Sequence, residues 1–462
     1  MTRCDFSAWT IDAGVEPTIR VGVALPEDGL ERTTVEIPDA PYGLTVGAAA
    51  FEPIRAAQAE VAVEGAGVVL RLGARTLGPA ETIVFEPDGA ETVAPGSGVR
   101  VKNVLTGRGF HWQKRFHPTL SGCVEFRAHG GRLLVVNALP LEQYLPGVLT
   151  GEMSGECPPE FLKSQCVVAR AWVLAHTENK HPELPIDRCN DDCCQRYHGT
   201  AHLMPAAVEA ANATRGQVIV DADNRIIDAN YSKSCGGIIE APEAVWGISK
   251  SGQRAAVDAP AESALHQFFP ITDANLDAYL TGDWLGQTDA FCSPAVVPDE
   301  DLPRYLGKVD EGGGHFRWTV EYERAELEAL LRRKHFERAD VAAPPLATLV
   351  DLRVLRRGAS GRVATLAVDY RDPDGASHTA TIESEYAIRN ALYEKFLYSS
   401  AFRLRIERGA DGLPVRITLL GAGWGHGAGL CQIGALGMAL RGYDCEAILK
   451  HYFEGVRLHA CY

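Results

Sequence analysis

The hydrophobic period of this chain changes once, near Leu141, and that change limits the available folds more than any other feature. Before it, apolar and polar residues alternate in short runs, among them Thr18-Ile-Arg-Val-Gly-Val-Ala24, Glu60-Val-Ala-Val63, Cys123-Val-Glu-Phe-Arg-Ala128 and Arg132-Leu-Leu-Val-Val-Asn137. Gly, Pro and Asp divide these runs. A period of two places apolar side chains on one face of an extended strand, so this part reads as antiparallel β. From Leu141 helical spacing takes over. The clearest helix runs from 158 to about 176, with two prolines in its first turn and Leu162, Cys166, Ala169 and Val173 recurring along one stripe. Farther on, helical stretches at 206–214, 324–335, 430–441 and 445–453 are interspersed with strand-like runs at 217–220, 316–322, 349–355 and 362–370.

The expected fold class is therefore α+β. A β-rich N-terminal region over 1–98 precedes a mixed α+β domain in two parts, 99–248 and 315–462. Between the parts, residues 249–314 are rich in Asp, Pro and Gly and weakly periodic, apart from a helix near 275–285, and read as an insertion. A length of 462 residues leaves room for two or three domains. With 46% hydrophobic and 23% charged residues the chain can bury a real core, which excludes collagen-like, coiled-coil and wholly disordered readings. A formal net charge of -15 argues against general affinity for nucleic acid or anionic membrane. No run approaches the ~18 apolar residues of a transmembrane segment. The opening Met1-Thr2-Arg3-Cys4-Asp5-Phe6 lacks the basic and apolar regions of a signal peptide.

Four places carry candidate chemistry. Glu152, in Leu149-Thr-Gly-Glu-Met153, sits between an apolar run and the helix that starts near Pro158. Apolar surroundings disfavour the charged form of a carboxyl group, which would suit Glu152 to proton donation; a helix-end or solvated acid is the alternative. Lys163 and Arg170 lie seven residues apart, on one helix face about 10.5 Å from each other. Such a cationic edge is solvent-exposed, or beside a cleft it holds acidic and hydroxyl-rich groups. Tyr231-Ser-Lys-Ser-Cys-Gly-Gly237 sets the hydroxyls of Tyr231, Ser232 and Ser234 before a glycine pair, where they can bind sugar or cap a turn. Gly421-Ala-Gly-Trp-Gly-His-Gly-Ala-Gly429 has glycine at every second position. Its spacing fits neither a dinucleotide fingerprint nor a phosphate loop, and His426 is either a satisfied core histidine or a site residue.

Taken in order, these pieces resemble one family. Asn137-Ala-Leu-Pro-Leu-Glu-Gln-Tyr-Leu-Pro-Gly-Val-Leu-Thr-Gly-Glu-Met153, followed by Pro159-Glu-Phe-Leu-Lys-Ser-Gln-Cys-Val-Val-Ala-Arg170, looks like the hallmark of the SpoIID/LytB family, the stage II sporulation protein D and amidase-enhancer group. Residues 231–237 with Trp246, 316–322 and 423–435 match further, and 386–390 and 399–402 also fit. The resemblance spans about 99–458, with a weaker strand match at 19–23.

The resemblance implies a SpoIID-like catalytic domain with lytic transglycosylase activity on peptidoglycan glycan strands stripped of stem peptides. It assigns Glu152 as the catalytic acid and base. Lys163, Arg170 and Tyr231 fall at positions associated with the substrate groove, with Ser232, Ser234, His426 and Gln432 as further substrate-binding candidates. Glu152 would protonate the glycosidic oxygen between N-acetylmuramic acid and N-acetylglucosamine, then take the proton of the muramic C6 hydroxyl as it closes a 1,6-anhydro ring. A hydrolase would instead need a second carboxylate. No cofactor is required for that reaction. The implied location is the cell envelope, at odds with the missing signal peptide. Cys166, Cys235 and Cys431 stand where small or hydroxyl residues are common in the family, which hints at a reducing compartment or a different groove lining.

Of 12 cysteines, Cys189, Cys193 and Cys194 cluster in one polar loop. Some family members carry zinc in this region. Cys189 with Cys193 or Cys194, and His181 or His198 as imidazole donor, could supply a structural zinc site; a disulfide and free thiols are the alternatives. Two further readings compete with the enzyme: a non-catalytic glycan-binding partner that enhances a cell-wall amidase, and a zinc-stabilised interaction module.

Overall fold

The computed structural model describes residues 10–11, 14–89, 93–110, 112–175, 177–283, 285, 288–307 and 314–462. Residues 1–6, Cys4 among them, and His176 lie outside the described residues. The chain forms two compact units. The first takes the described residues of Met1–Ile219, Arg304–Asp310 and Leu458–Tyr462, the second those of Val220–Pro303 and Glu311–Arg457. Among the described residues no helix is long and apolar enough to cross a membrane.

The alternating N-terminal runs of the first unit are strands of two sheets. A seven-stranded sheet runs in the order Arg188–Cys189, Thr18–Ala24, Arg132–Pro140, Cys123–His129, Thr82–Pro87, Tyr42–Val46, Ala49–Ile54. A six-stranded sheet contains Arg32–Ile37, Ala57–Glu64 and Gly67–Leu72 at its middle. Arg32–Ile37 buries every second residue, as one covered face requires, whereas Arg132–Pro140 is buried along nearly its whole length because both of its faces are covered. The expected break at residue 98 does not appear. Thr18–Ala24 pairs with Arg132–Pro140, Arg32–Ile37 with Val99–Val101, and Thr82–Pro87 with Cys123–His129, so residues on both sides of that boundary share one hydrogen-bonded framework.

Three helices follow in the first unit: α1 (Leu141–Glu152), α2 (Pro159–Ala175) and α3 (Pro205–Ala213). They pack on one another, with α1 also against Arg132–Pro140. A buried polar hub ties them together. Arg170 of α2 donates from Nε and Nη2 to the two oxygens of Glu142 in α1, at 2.8 and 2.6 Å, and from Nη1 to the Gln217 carbonyl at 3.0 Å. Glu142 Oε1 also accepts the Gly216 N–H and the Tyr462 hydroxyl. Two opposite charges with this many hydrogen bonds recover the desolvation that an unpaired partner would not.

The second unit packs two three-stranded sheets, Arg317–Glu323, Pro414–Ala422, Phe402–Arg408 and Thr348–Arg357, Val363–Arg371, Ser377–Glu383, around Leu327, Leu349, Leu366, Val368, Phe402 and Leu419. Arg324–Leu331 is helical, opened by a capping box from Glu323 and Glu326, and its end loosens into a π turn over Arg332–Phe336. The stretch expected as an insertion is not peripheral. Ala256–Val257 pairs with Ile238–Ile239, and Tyr279, Phe291 and Cys292 are core residues of this unit, while 304–307 belong to the first. Weak periodicity in 249–303 reflects a chain that enters the core residue by residue rather than as regular elements.

Candidate functional site

Glu152 is the last residue of α1, which ends because Met153 is extended. Its side chain is buried, 7% exposed, and Oε1 accepts the Arg196 N–H at 3.0 Å. The Arg196 guanidinium pairs with Asp192 and lies 4.4 Å over the Trp112 ring, whose indole N–H donates to Asp192 Oδ2 at 2.9 Å. Burial raises the Asp192 carboxyl to about 6; Arg196 opposes this, and the neighbouring charges of Asp191 and Glu152 add to it. Glu152 therefore shares its surroundings with a second carboxyl that is already committed to a guanidinium and an indole. Asp192, Arg196 and Trp112 were not legible as site residues. The first two stand beside the loop cysteines, which was the available signal, but nothing in sequence brings Trp112 to them.

Lys163 is partly exposed and pairs with Glu160 one turn earlier, at 2.7 Å. Arg170 corrects the expectation of a cationic edge. It is 0% exposed and spent on Glu142 and Gln217, so it holds helices together rather than presenting charge to a ligand. Helical spacing gives the face a residue lies on, and here that face is covered.

The cysteine loop is anchored to the seven-stranded sheet, where Cys189 pairs with Gly22. His181, Cys189, Cys193 and Cys194 bring one donor atom each to within 4.8 Å of one another. Cys189 Sγ lies 3.0 Å from Cys193 Sγ, which lies 3.7 Å from His181 Nε2. All three thiols join the set, and no disulfide links the described cysteines. One imidazole with three sulfurs is a donor set that fits tetrahedral zinc. His198, the rival imidazole, packs on Phe116 with ring centroids 5.0 Å apart, and burial with the charge of Arg196 drives it down to about 3.

In the second unit, Tyr231–Ser232 pairs in parallel with Leu430–Cys431. The Ser232 hydroxyl accepts the Gly427 N–H at 3.1 Å, and Ser234 exchanges backbone hydrogen bonds with Trp424 at 2.9 and 2.8 Å. Both serines are buried, and the Ser234 hydroxyl accepts the Gly236 N–H. These serines brace the glycine turn, the turn-capping alternative for them; Tyr231 is half-buried.

The alternating glycines have a conformational cause. Gly423, Gly425, Gly427 and Gly429 all have φ between +72° and +95°. A Cβ at Gly427 would lie 2.1 Å from Arg362 Cζ, and one at Gly429 2.0 Å from the Asn230 carbonyl oxygen. Between them Trp424 stacks on His315 and Tyr398, each at 4.6 Å. His426 Nδ1 accepts the Ala428 N–H at 3.1 Å and its ring lies 5.0 Å from Trp246. Burial, reinforced by Arg389 and Arg362, lowers this imidazole to about 3, so it is neutral with its proton on Nε2. Gln432 is buried in the first turn of the helix Gln432–Leu440.

A family model described as stage II sporulation protein matches residues 129–220, which hold Glu152, Lys163, Arg170 and the cysteine loop. A second, described as a domain of unknown function (DUF8618), matches 299–429 and ends on the glycine turn. An uncharacterized protein of Brachyspira hyodysenteriae is 25% identical over 72% of this chain and 71% of its own length. Stage II sporulation protein D of Bacillus subtilis is 23% identical over 70% of this chain and 75% of its own. The amidase enhancer of Bacillus subtilis is 23% identical over 68% of this chain but only 40% of its own length.

Proposed function

We propose that this chain, similar to stage II sporulation protein D and to the amidase enhancer, is a lytic transglycosylase of peptidoglycan glycan strands, with Glu152 as its acid and base. The observation that carries this reading is the buried carboxyl of Glu152, held at Oε1 by the Arg196 N–H inside the matched sporulation-protein region. The Arg196 N–H fixes the orientation of this carboxyl, which as the acid form carries the one proton the reaction needs. Glu152 delivers it to the glycosidic oxygen as positive charge develops at the muramic anomeric carbon. The carboxylate then accepts the proton of the C6 hydroxyl, whose oxygen bonds to that carbon and closes the 1,6-anhydro ring. Asp192, engaged by Arg196 and Trp112, is poorly placed to serve as the nucleophile or base of a hydrolase.

The loop cluster completes this reading as a structural zinc site. His181, Cys189, Cys193 and Cys194 would hold the ion, whose four protein ligands leave no position for a reacting water. Its role is mechanical: the same loop carries Asp192 and leads directly into Arg196. The substrate lies outside the cytoplasmic membrane, which places the working protein in the cell envelope. A second reading, a glycan-binding partner that stimulates a cell-wall amidase, is favoured by the likeness to the amidase enhancer.

Incubation with denuded glycan strands and mass analysis of the products tests the proposal. The wild type should generate 1,6-anhydromuramic ends, and Glu152→Gln should reduce them by about 10²–10⁴-fold, the usual contribution of general acid–base catalysis. A folded wild type that yields none overturns it. Amidase stimulation that survives in Glu152→Gln supports the second reading.

A further inference from the structure

The second unit contains another set of metal donors, and it is entirely buried. Cys235, Asp258, Cys292 and Cys431 are between 0 and 2% exposed, and their donor atoms all lie within 4.8 Å of one another. We propose that these four residues form a structural zinc site, independent of the loop cluster and of the reaction assigned to Glu152.

The donor spacing suits a tetrahedral ion. Cys235 Sγ lies 3.7 Å from Cys292 Sγ, close to the edge of about 3.8 Å that a tetrahedron with metal–sulfur bonds of about 2.3 Å requires. Asp258 Oδ2 is 3.0 Å from Cys235 Sγ and supplies the oxygen corner. The surroundings are those of metal thiolates rather than of packed thiols. Cys431 Sγ accepts two backbone N–H groups, from Cys235 at 3.2 Å and Gly434 at 3.3 Å, and Cys235 Sγ accepts that of Gly237 at 3.3 Å. The other oxygen of Asp258 is held from outside: Oδ1 accepts the Tyr452 hydroxyl at 2.8 Å and meets His451 Nε2 at 3.1 Å. Outer partners that orient a carboxylate so that one oxygen faces the remaining donors are a recurrent feature of metal sites. Gly434 is part of the arrangement, because a Cβ there would stand 2.4 Å from both Asp258 Oδ2 and the Tyr452 oxygen.

Three thiols and a carboxylate are a soft, anionic set that selects zinc over calcium or magnesium. Loading replaces the three thiol protons, which pass to solvent, and forms three metal–sulfur bonds and one metal–oxygen bond without electron transfer. The ion would join four segments remote in sequence. Cys235 closes the Tyr231 strand segment, Asp258 follows Ala256–Val257, Cys292 lies in the stretch expected as an insertion, and Cys431 caps the helix after the glycine turn. It would thus fix both ends of the serine–glycine bracing around Trp424.

The test uses the full chain carrying Cys189→Ser and Cys193→Ser, which disable the loop cluster and leave the buried set intact. After equilibration with zinc sulfate under reducing conditions and gel filtration, this variant should retain one zinc per chain. Adding Cys292→Ser should remove it. Cobalt in place of zinc should give sulfur-to-metal charge transfer and tetrahedral d–d bands. A folded loop variant that binds no zinc overturns the proposal. Should the variants not fold, crystals of the zinc-equilibrated wild type decide: anomalous scattering at the zinc edge should give a peak among Cys235, Asp258, Cys292 and Cys431, and its absence there overturns the proposal.

Discussion

The two cysteine clusters reach similar donor sets by opposite routes. The loop cluster draws its donors from one short segment, His181 to Cys194, includes the exposed Cys193, and sits at the edge of a sheet. The core cluster draws from segments between Cys235 and Cys431, every donor buried. A local cluster can be ordered by its metal alone, since closing a short loop costs little entropy. A dispersed one exists only after the unit around it has folded, so a metal there would clamp an existing core. The first arrangement suits a device that positions Arg196 against Glu152; the second suits a brace under a turn of conformationally demanding glycines.

That contrast can be broken most forcefully at Arg170. If the first unit depends on its buried ion hub rather than on the loop cluster, Arg170→Ala should cost about 3–5 kcal/mol in denaturant unfolding, because Glu142 is left charged and unpaired. A cost within error of zero would make the loop metal the main support. Cys189→Ser sharpens the positioning role. It should lower formation of 1,6-anhydro ends by about 10–100-fold, the scale of losing an orienting shell, while the far-UV circular dichroism stays that of the wild type. Activity that persists in Cys189→Ser would separate the loop from the chemistry.

A last test concerns pH. His198 is held near 3 in the fold but titrates near 6.5 when unfolded, so the unfolded chain binds the extra proton between these values. Its contribution to stability is full above about 6.5 and is lost as pH falls toward about 3, with a slope of up to about 1.4 kcal/mol per pH unit. His198→Gln should flatten the stability profile over that window, read from denaturant midpoints. His426 acts in the same direction in the second unit, so a profile unchanged by His198→Gln would assign the slope elsewhere.

Sequence alone determined the elements whose signals are local. Period two marked the strands of the first unit, helical spacing with paired prolines marked α2, and the crowding of Cys189, Cys193 and Cys194 marked one cluster, because residues close in the chain cannot be far apart in space; that His181 rather than His198 joins them, and that all three thiols do, came from the structure. Glu152 was singled out by the motif around it. Tertiary structure alone decided what lies against what: that Arg170 is buried on Glu142, that Ser232 and Ser234 brace a turn, that Trp112 and Asp192 join Glu152's surroundings, and that four residues from Cys235 to Cys431 converge. Burial and long-range pairing depend on the packing of elements that no local period describes.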